Sequence, residues 1–590
     1  MAGLTSTPPA IVVLGPSALP TARRLQAALP SATIHALQGR ATGDVAYSEL
    51  ASHLRELYST GKPIVALCAA GIVIRCIAPM LANKGVEPPV LAVAEDGSAV
   101  VPLLGGLAGV NVLAREIARA LDVAPAITTS GELRFGTCLL NPPSGYTLAS
   151  LDEGKRFVSD LLAGASVRID GDAPWLDAAH LPKDESARHA VRVTPRIVES
   201  GGSDLVIHPH AVVAAIDGPA ETAAERVREA MGANGLAPVS LAALLAPIAR
   251  IGETALEQAA SELGAPLRFI DTGLGRTGMA EDRCANNDPA GTEMASTERA
   301  LQLLHNALQS RHEQLTHTNG IALAVGAEPI DVGSLGQARG RLDVIGLGPG
   351  CAELMAPAAR AALAEATDVL GYETYLRMAA PFGAHQRIHG SDNREELQRA
   401  RHAFELASAG RRVAIVSSGD PGVFAMAAAV MEALDGAGDP RWTTVEIRVV
   451  PGISAAMATA AQAGAPLGHD FCVLSLSDNL KPWRVIENRL RHAVEADLVI
   501  AMYNPISRAR PWQFDKALEI VRNCRRPDTR VVLGRDVGRP GAALVTTTLG
   551  ELRSEQVDMR TTVIVGSTMT RAVARGDGGE WIYTPRWYED

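Results

Sequence analysis

A multidomain α/β protein is predicted, with Rossmann-like α/β units in its N-terminal half and a further α/β domain at its C-terminus. Three observations predict it. The 590 residues exceed what one hydrophobic core supports, so about two to four domains are expected. Hydrophobic residues make up 47% and charged residues 20%, the balance of a globular chain and not of a disordered one. Aromatics are only 4%, so cores must be built from Ala, Val, Leu and Ile, which suits helices laid over parallel strands.

Residues 1–143 read as the first unit. The apolar runs IVVLG (11–15), IVALC (64–68), VLAVA (90–94) and AITTS (126–130) predict strands. LAGVNVLAREIARAL (107–121) predicts an amphipathic helix with Arg115, Glu116 and Arg119 on its polar face. Strands separated by helices predict a doubly wound parallel sheet. From 144 to 202 charged and proline residues interrupt the pattern, as in WLDAAHLPKDESARHAVRVTP, and a small connecting subdomain is expected. Residues 203–329 predict a second α/β module, from DLVIHPHAVVAAI (204–216), a helix at ETAAERVREAM (221–231) and ALEQAASELGAPLRFID (255–271). Within it TGMAEDRCANNDPAGTEMAS (277–296) is polar and turn-rich and reads as a loop. IDVGSLGQARGR (330–341) reads as a linker, and LDVIGLGPG opens the last domain, 342–590.

The formal charge of −10 excludes general nucleic-acid binding, which needs a basic surface to displace counterions from phosphate. The start, MAGLTSTPPAIVVLGPSALP, lacks the basic and apolar regions of a secretion signal. The apolar stretch Ala99–Ala114 is broken by Pro102, Gly105, Gly106 and Gly109, so no membrane span is expected. Seven cysteines, at 68, 76, 138, 284, 351, 472 and 524, include no C-x-x-C pair. They predict reduced, buried thiols in a cytoplasmic protein, with neither disulfides nor a metal site.

In the last domain, strand LDVIGL runs into Gly348-Pro349-Gly350, where missing Cβ atoms let a ligand approach the backbone. That turn alone fits a plain strand-to-helix connection equally well, and a dinucleotide fingerprint needs another spaced glycine and a downstream acid. Three more strand ends follow in order. They are the Ser418-Gly419-Asp420-Pro421-Gly422 turn, Pro451-Gly452 before a helix of small residues, and Tyr503-Asn504-Pro505. Four such ends predict one crevice at the carboxyl edge of a sheet, where open α/β sheets bind ligands.

Together GLGPG, YETYL (372–376), SSGDPGVFAMA, VVPGISAAMATAAQAGAPLGHDF, SLSD (475–478), YNP and YTPRWY resemble the tetrapyrrole methylases over about 340–590. Within that family the motifs are most similar to the branch that methylates C(17) of precorrin-3B and contracts its ring in cobalamin biosynthesis. The resemblance implies a two-lobed methylase fold, S-adenosylmethionine as cofactor, a precorrin as substrate and a homodimer. It implies that Pro349 borders the substrate trough, and that Ser418, Gly419, Asp420 and Val423 contact the cofactor. It likewise implies Ser454 and Ala455 beside the adenosine, Tyr503 packed on it, and Gly534 as a later backbone contact. An aspartate in a Gly-Asp-Pro turn also caps its own backbone, so Asp420 is open to both roles.

The methyl sulfonium is already electrophilic, so such a protein must align it with a ring carbon and exclude water. Ring contraction also needs a proton moved, for which His469, Asp470 and Asp478 are the candidate acids and bases. Substrate carboxylates or water are the alternative carriers. Many substrate carboxylates call for a basic trough. Arg508 and Arg510, directly after YNP, are preferred to the helical set Lys481, Arg484, Arg489, Arg491 and His492.

In the N-terminal half, AAGIVIRCIAPMLANKGVEPPVLAVAEDGSAVVPLLGGLAGVNVLAREIARAL and PAITTSG resemble the cobalt-precorrin-5A hydrolases over about 10–200. ARIGETALEQAASELGAPLRF echoes that family's C-terminal module, with Arg250 where lysine is usual and Glu253 as its acid. Leu107 stands where that family carries a histidine, and leucine neither accepts a proton nor orients water. A degenerate, substrate-holding or assembly role is therefore favoured over lactone hydrolysis. Gly71, Arg75, Lys84, Gly106, Gly109 and Asn111 either line a carboxylate cleft or are turn glycines and surface charges.

Overall fold

The computed structural model describes residues 8–29, 32–81, 87–198, 202, 204–271, 289–308, 312–317, 320–383, 385–392, 395–507 and 510–587. The chain divides into two units, 1–339 and 340–590.

The first sheet of the N-terminal unit holds β1 (Ala10–Val13), β2 (Thr33–Leu37), β3 (Val45–Tyr47), β4 (Ile64–Leu67), β5 (Val90–Val93) and β6 (Val100–Leu104), in the order β3-β2-β1-β4-β5-β6. AIVV, IVAL and VLAV are buried at every residue because helices cover both faces, which is why these strands are uninterrupted apolar runs. Five strands are parallel, and β6 runs antiparallel to β5. The strand expected over 126–130 is absent. Pro125 makes one isolated bridge with Val100, and a helix begins at Ser130. The edge position is held by β6, whose Pro102 lacks an N–H, a lack that an edge strand tolerates.

A second sheet, β7-β10-β9-β8, contains β7 (Tyr146–Leu148), β8 (Val167–Asp170), β9 (His189–Val193) and β10 (Leu205–Pro209). The run DLVIHPHAVVAAI is therefore shared between sheets. Its first half is β10, and its second is β11 (Val212–Ile216) of the next sheet. Pro209, which removes a backbone donor, sits at the break. The third sheet, β13-β12-β11-β15-β14, adds β12 (Leu241–Pro247), β13 (Leu267–Ile270), β14 (His312–His317) and β15 (Ile321–Gly326). The helix Pro289–Leu308 takes in the end of the segment read as a loop over 277–296. Residues 272–288, with Cys284, lie outside the described residues. Of the described cysteines only Cys68 is buried and Cys524 is exposed, so burial is not their common state.

The C-terminal unit has two sheets. In the first, β16 (Arg341–Gly346), β17 (Asp368–Tyr372), β18 (Arg387–Ser391), β19 (Arg412–Ser417) and β20 (Glu446–Val450) are all parallel, in the order β18-β17-β19-β16-β20. The helix after β16 (Pro357–Glu365) packs on one face and the helix after β19 (Met426–Asp435) on the other. Neighbouring strands whose connections leave on opposite faces open a crevice between them. A short β21 (Gly464–Ala465) precedes the second sheet. That sheet holds β22 (Phe471–Ser475), β23 (Val499–Tyr503), β24 (Arg530–Arg535), β25 (Ala543–Thr548) and β26 (Thr561–Val565), in the order β22-β23-β26-β24-β25. The alanine-rich helix Ala455–Ala463 covers one face, and helices Trp483–Glu495 and Gln513–Arg522 cover the other. β27 (Arg571–Ala574) and β28 (Glu580–Tyr583) form a closing ribbon with β21. Among the described residues no helix is long and apolar enough to cross a membrane.

Candidate cofactor cleft

Three backbone turns meet at the carboxyl edge of β16, β19 and β20. A Cβ on Gly346 would lie 2.6 Å from Gly419 O and 2.8 Å from Gly452 N. One on Gly452 would collide with Gly419 O and stand 2.9 Å from Gly346 O. Only glycine lets these strands end so close together. Gly419 (φ +72°) and Gly348 (φ +73°) exchange hydrogen bonds at 2.7 and 3.2 Å, which joins the first turn to the second. A Cβ on Gly419 would point at Ser454 Cα, 3.6 Å away, so the turn faces the start of the helix 455–463. Ser454 caps that helix and is buried. This glycine-walled cradle, floored by Ser454 and Ala455, suits a ligand that lies along backbone.

Asp420 takes the backbone-capping role and extends it by bridging two turns. Its Oδ1 accepts from Gly422 N (2.8 Å) and its Oδ2 from Gly452 N (3.1 Å). The carboxylate is thus committed to backbone donors, and Val423 N closes the turn on Asp420 O at 3.2 Å.

The fourth strand end comes from the other sheet, so the crevice is not the edge of one sheet. Tyr503 ends β23, and its Oη accepts from Ala456 N at 2.8 Å. Its ring meets Phe424 edge-on at 5.7 Å. Arg539, which the motifs did not reveal, joins the sides. Its guanidinium donates to Pro349 O (3.0 Å) and Ser418 Oγ (2.8 Å) from the hairpin between β24 and β25. The signal was the glycine-bracketed turn at Gly538 and Gly541, both at positive φ. Burial raises the pKa of the nearby Tyr375 phenol, while Arg539 opposes the rise.

Gly534 has a different explanation from cofactor contact. It is buried near the end of β24, where a Cβ would strike Thr459 Oγ1 and Cγ2 of the covering helix. Gly534→Ala is expected to cost about 1–3 kcal/mol through overpacking. Thermal unfolding checks this. Adding Thr459→Ala should recover part of the loss, whereas reduced cofactor affinity at unchanged stability would contradict a packing role.

The proposed acids and bases are not brought together. The helix 455–463 carries the chain away from the cleft and β22 returns it, so His469 and Asp470 lie at the opposite end of β22 from Ser475. Asp470 N donates to His469 Nδ1 (2.7 Å), and the Asp470 side chain is 85% exposed. Asp478 lies past the other end of β22, on the Tyr503 side. The Gln513 amide beside it, then Arg510, hold its carboxyl below the usual carboxylate range, so it is a weak base. Arg510 Nη1 donates to Ser477 Oγ (2.6 Å), Asp478 Oδ1 (3.2 Å) and Asn479 Oδ1 (3.1 Å). That clamp spends much of the guanidinium within its own loops. Arg508 lies outside the described residues. Arg491 pairs with Glu487 and His492 with Asn488 O on the helix that carries them, as on a solvated face.

In the N-terminal unit Asn111 is buried and donates to Glu132 Oε1 (2.6 Å) and Thr129 Oγ1 (3.0 Å), and Arg115 pairs with Glu132. Asn111 thus holds a helix end. Leu107 lies in a turn flanked by Gly105 and Gly109, both left-handed. Arg75 donates back to Gly71 O, and Lys84 is outside the described residues. Arg250 and Glu253 form a two-pronged pair at 2.6 and 2.8 Å, and Arg250 also donates to Gly218 O. Among the described residues no group of three His, Cys, Asp or Glu side chains is placed to hold a metal ion.

Comparison with known proteins agrees with this division. Residues 341–553 match the family described as Tetrapyrrole (Corrin/Porphyrin) Methylases, and residues 52–132 match Cobalamin synthesis G N-terminal. A precorrin-3B C(17)-methyltransferase of Sinorhizobium sp is 51% identical over 249 residues, 42% of this chain and 97% of that protein. The cobalamin biosynthesis protein CobIJ of Mycobacterium bovis is 47% identical over 256 residues, 42% of this chain, which spans only 49% of that longer protein. A probable cobalt-factor III C(17)-methyltransferase of Salmonella typhimurium is 41% identical over 39% of this chain and 93% of its own length. The crystal structure of the methyltransferase CobJ aligns at 50% identity with a TM-score of 0.40, covering 42% of this chain and 100% of that one.

Proposed function

The chain belongs to the tetrapyrrole methylases through its C-terminal unit, and on that footing we propose that it methylates C(17) of precorrin-3B and contracts the ring to give precorrin-4. The observation that carries this is the convergence of the Gly346, Gly419 and Gly452 turns on the Ser454–Ala455 helix start, opposite Tyr503. S-adenosylmethionine, when bound, supplies an electrophilic methyl group. Gly419, Val423, Ser454, Ala455 and Tyr503 are the residues suited to hold it. Asp420 and Arg539 keep the walls in register, so that the methyl donor and the acceptor carbon meet in one orientation with water excluded. Asp478, held ionised, orders the Arg510 loop. The place of His469 and Asp470 before β22, at the end opposite Ser475, favours Asp478 or substrate carboxylates and water over them as proton carriers.

Isothermal titration of the full chain with S-adenosylhomocysteine tests the cofactor site, and micromolar binding is expected. A noncatalytic tetrapyrrole carrier has no reason to bind it. Incubation with labelled methyl donor and precorrin-3B, or with cobalt-factor III, separates the two substrates named for the relatives. The higher identity to the precorrin-3B enzyme favours the cobalt-free one.

For the N-terminal half we favour a degenerate, substrate-holding role over opening the lactone of cobalt-precorrin-5A, because Leu107 offers no proton acceptor. Acetaldehyde release from that substrate checks it. None is expected from the unaltered chain, and release would establish a bifunctional enzyme. The six described cysteines are all free thiols, which supports a cytoplasmic location. A homodimer through the methylase unit is favoured by Val545, Val573 and Trp581, each 44–51% exposed near the edge strand and ribbon. Light scattering across a concentration series measures it.

A further inference from the structure

Phe424 is held in a backbone state that aromatic residues avoid. The positive-φ non-glycine residues among those described are three aspartates, Asn504 and Phe424, the last at +53°. Asp and Asn tolerate this region through short polar side chains, whereas a bulky ring gains nothing locally. Burial does not compensate, because 52% of Phe424 is exposed. Strain that is not offset by packing concentrates where a ligand is held.

The conformation turns the ring across the cleft to Tyr503, at 5.7 Å and 64°. On the same ring, Lys481 Nζ stands 5.8 Å from the centroid. Lys481 is partly buried and pairs with no carboxylate among the described residues. Burial, then the like charge of Arg489, lowers its pKa. A cation in that position is better satisfied by an incoming anion than by a ring alone.

We propose that Phe424 and Lys481 form a positioning pair for the tetrapyrrole, the exposed ring lying against one face of the macrocycle and the ammonium taking one of its carboxylates. The pair rests on the methyltransferase reading above. It is separate from the cofactor walls, because the ring is presented by the strained residue beyond the Asp420 turn and not by the turn itself. Macrocycle orientation, and with it the choice of ring carbon, then depends on an aromatic face and a charge from opposite sides of the cleft.

The test uses the full chain with two probes, S-adenosylhomocysteine by calorimetry and uroporphyrin III by absorbance titration, together with thermal unfolding. Phe424→Gly is expected to weaken uroporphyrin binding about tenfold while leaving the S-adenosylhomocysteine affinity within about twofold. Because the strain is relieved, its melting temperature should hold or rise by roughly 2–4 °C. Phe424→Tyr should restore binding. Lys481→Met should weaken uroporphyrin binding about tenfold and flatten its salt dependence, and Lys481→Arg should retain both. Wild-type uroporphyrin affinity in Phe424→Gly, or a parallel fall in S-adenosylhomocysteine affinity and melting temperature, overturns the pair. If the unaltered chain binds uroporphyrin through these residues yet transfers no methyl to precorrin-3B, the pair stands and the catalytic reading falls.

Discussion

Gly452→Ala is expected to reduce kcat/KM by at least about two orders of magnitude, the scale on which misplacement of about 1 Å acts. The added Cβ would collide with Gly419 O and stand 2.9 Å from both Gly346 C and Gly346 O. None of these atoms yields easily. Gly346 ends a central strand paired on both sides, and Gly419 is tied through both its N–H and C=O to Gly348. The turn at 451–453 must therefore move, and with it the Ser454 cap and the start of the helix. S-adenosylhomocysteine titration should show affinity lost together with rate. Gly422→Ala is the matched control. Its φ is not positive and its Cβ would meet only Asp420 Oδ1 at 3.1 Å, so a much smaller effect is expected. Equal effects at both positions would remove the three-turn cradle from the argument.

The second large effect is expected at Asp420, where asparagine should be nearly as damaging as alanine. Both carboxylate oxygens accept backbone N–H groups from different turns. An amide offers only one acceptor, so its NH2 must face the N–H of Gly422 or of Gly452. Each hydrogen bond to a charged acceptor contributes about 1.5–3 kcal/mol, and the orphaned donor adds a desolvation cost. Loss of the Gly452 bond unlocks the same turn that Gly452→Ala displaces, so combining the two changes should cost less than the sum. Calorimetric titration and kcat/KM on the single and double variants measure this. Full activity in Asp420→Asn would show that the bridge between turns is dispensable.

Much of this site was legible because its parts are local. A glycine where no Cβ fits, an aspartate in a Gly-Asp-Pro turn and a serine before a helix each carry their reason within a few residues. Phe424 was within reach of the same reading, since it directly follows Val423, but its left-handed backbone leaves no mark in composition or spacing. Arg539 was hidden because its partners Pro349 and Ser418 lie 190 and 121 residues away. His469 and Asp470 are set apart from the Ser475 strand end for the opposite reason. They are close to Ser475 in sequence, yet a strand advances about 3.3 Å per residue, and five strand residues place them at its far end.

The order of the elements, the runs buried on both faces and the small residues that end them were settled by the sequence, because hydrophobic period and missing Cβ atoms are properties of neighbours along the chain. Folding alone decided which sheet each strand joined. LVIHP and VVAAI are adjacent and equally buried but pair in different sheets, and the strand expected at AITTS did not form while Val100–Leu104 took the sheet edge. It also decided that the cleft is lined from two sheets and tied by an arginine from a distant hairpin. Strand partners and cross-chain hydrogen bonds depend on where remote segments come to lie, and no local pattern records that.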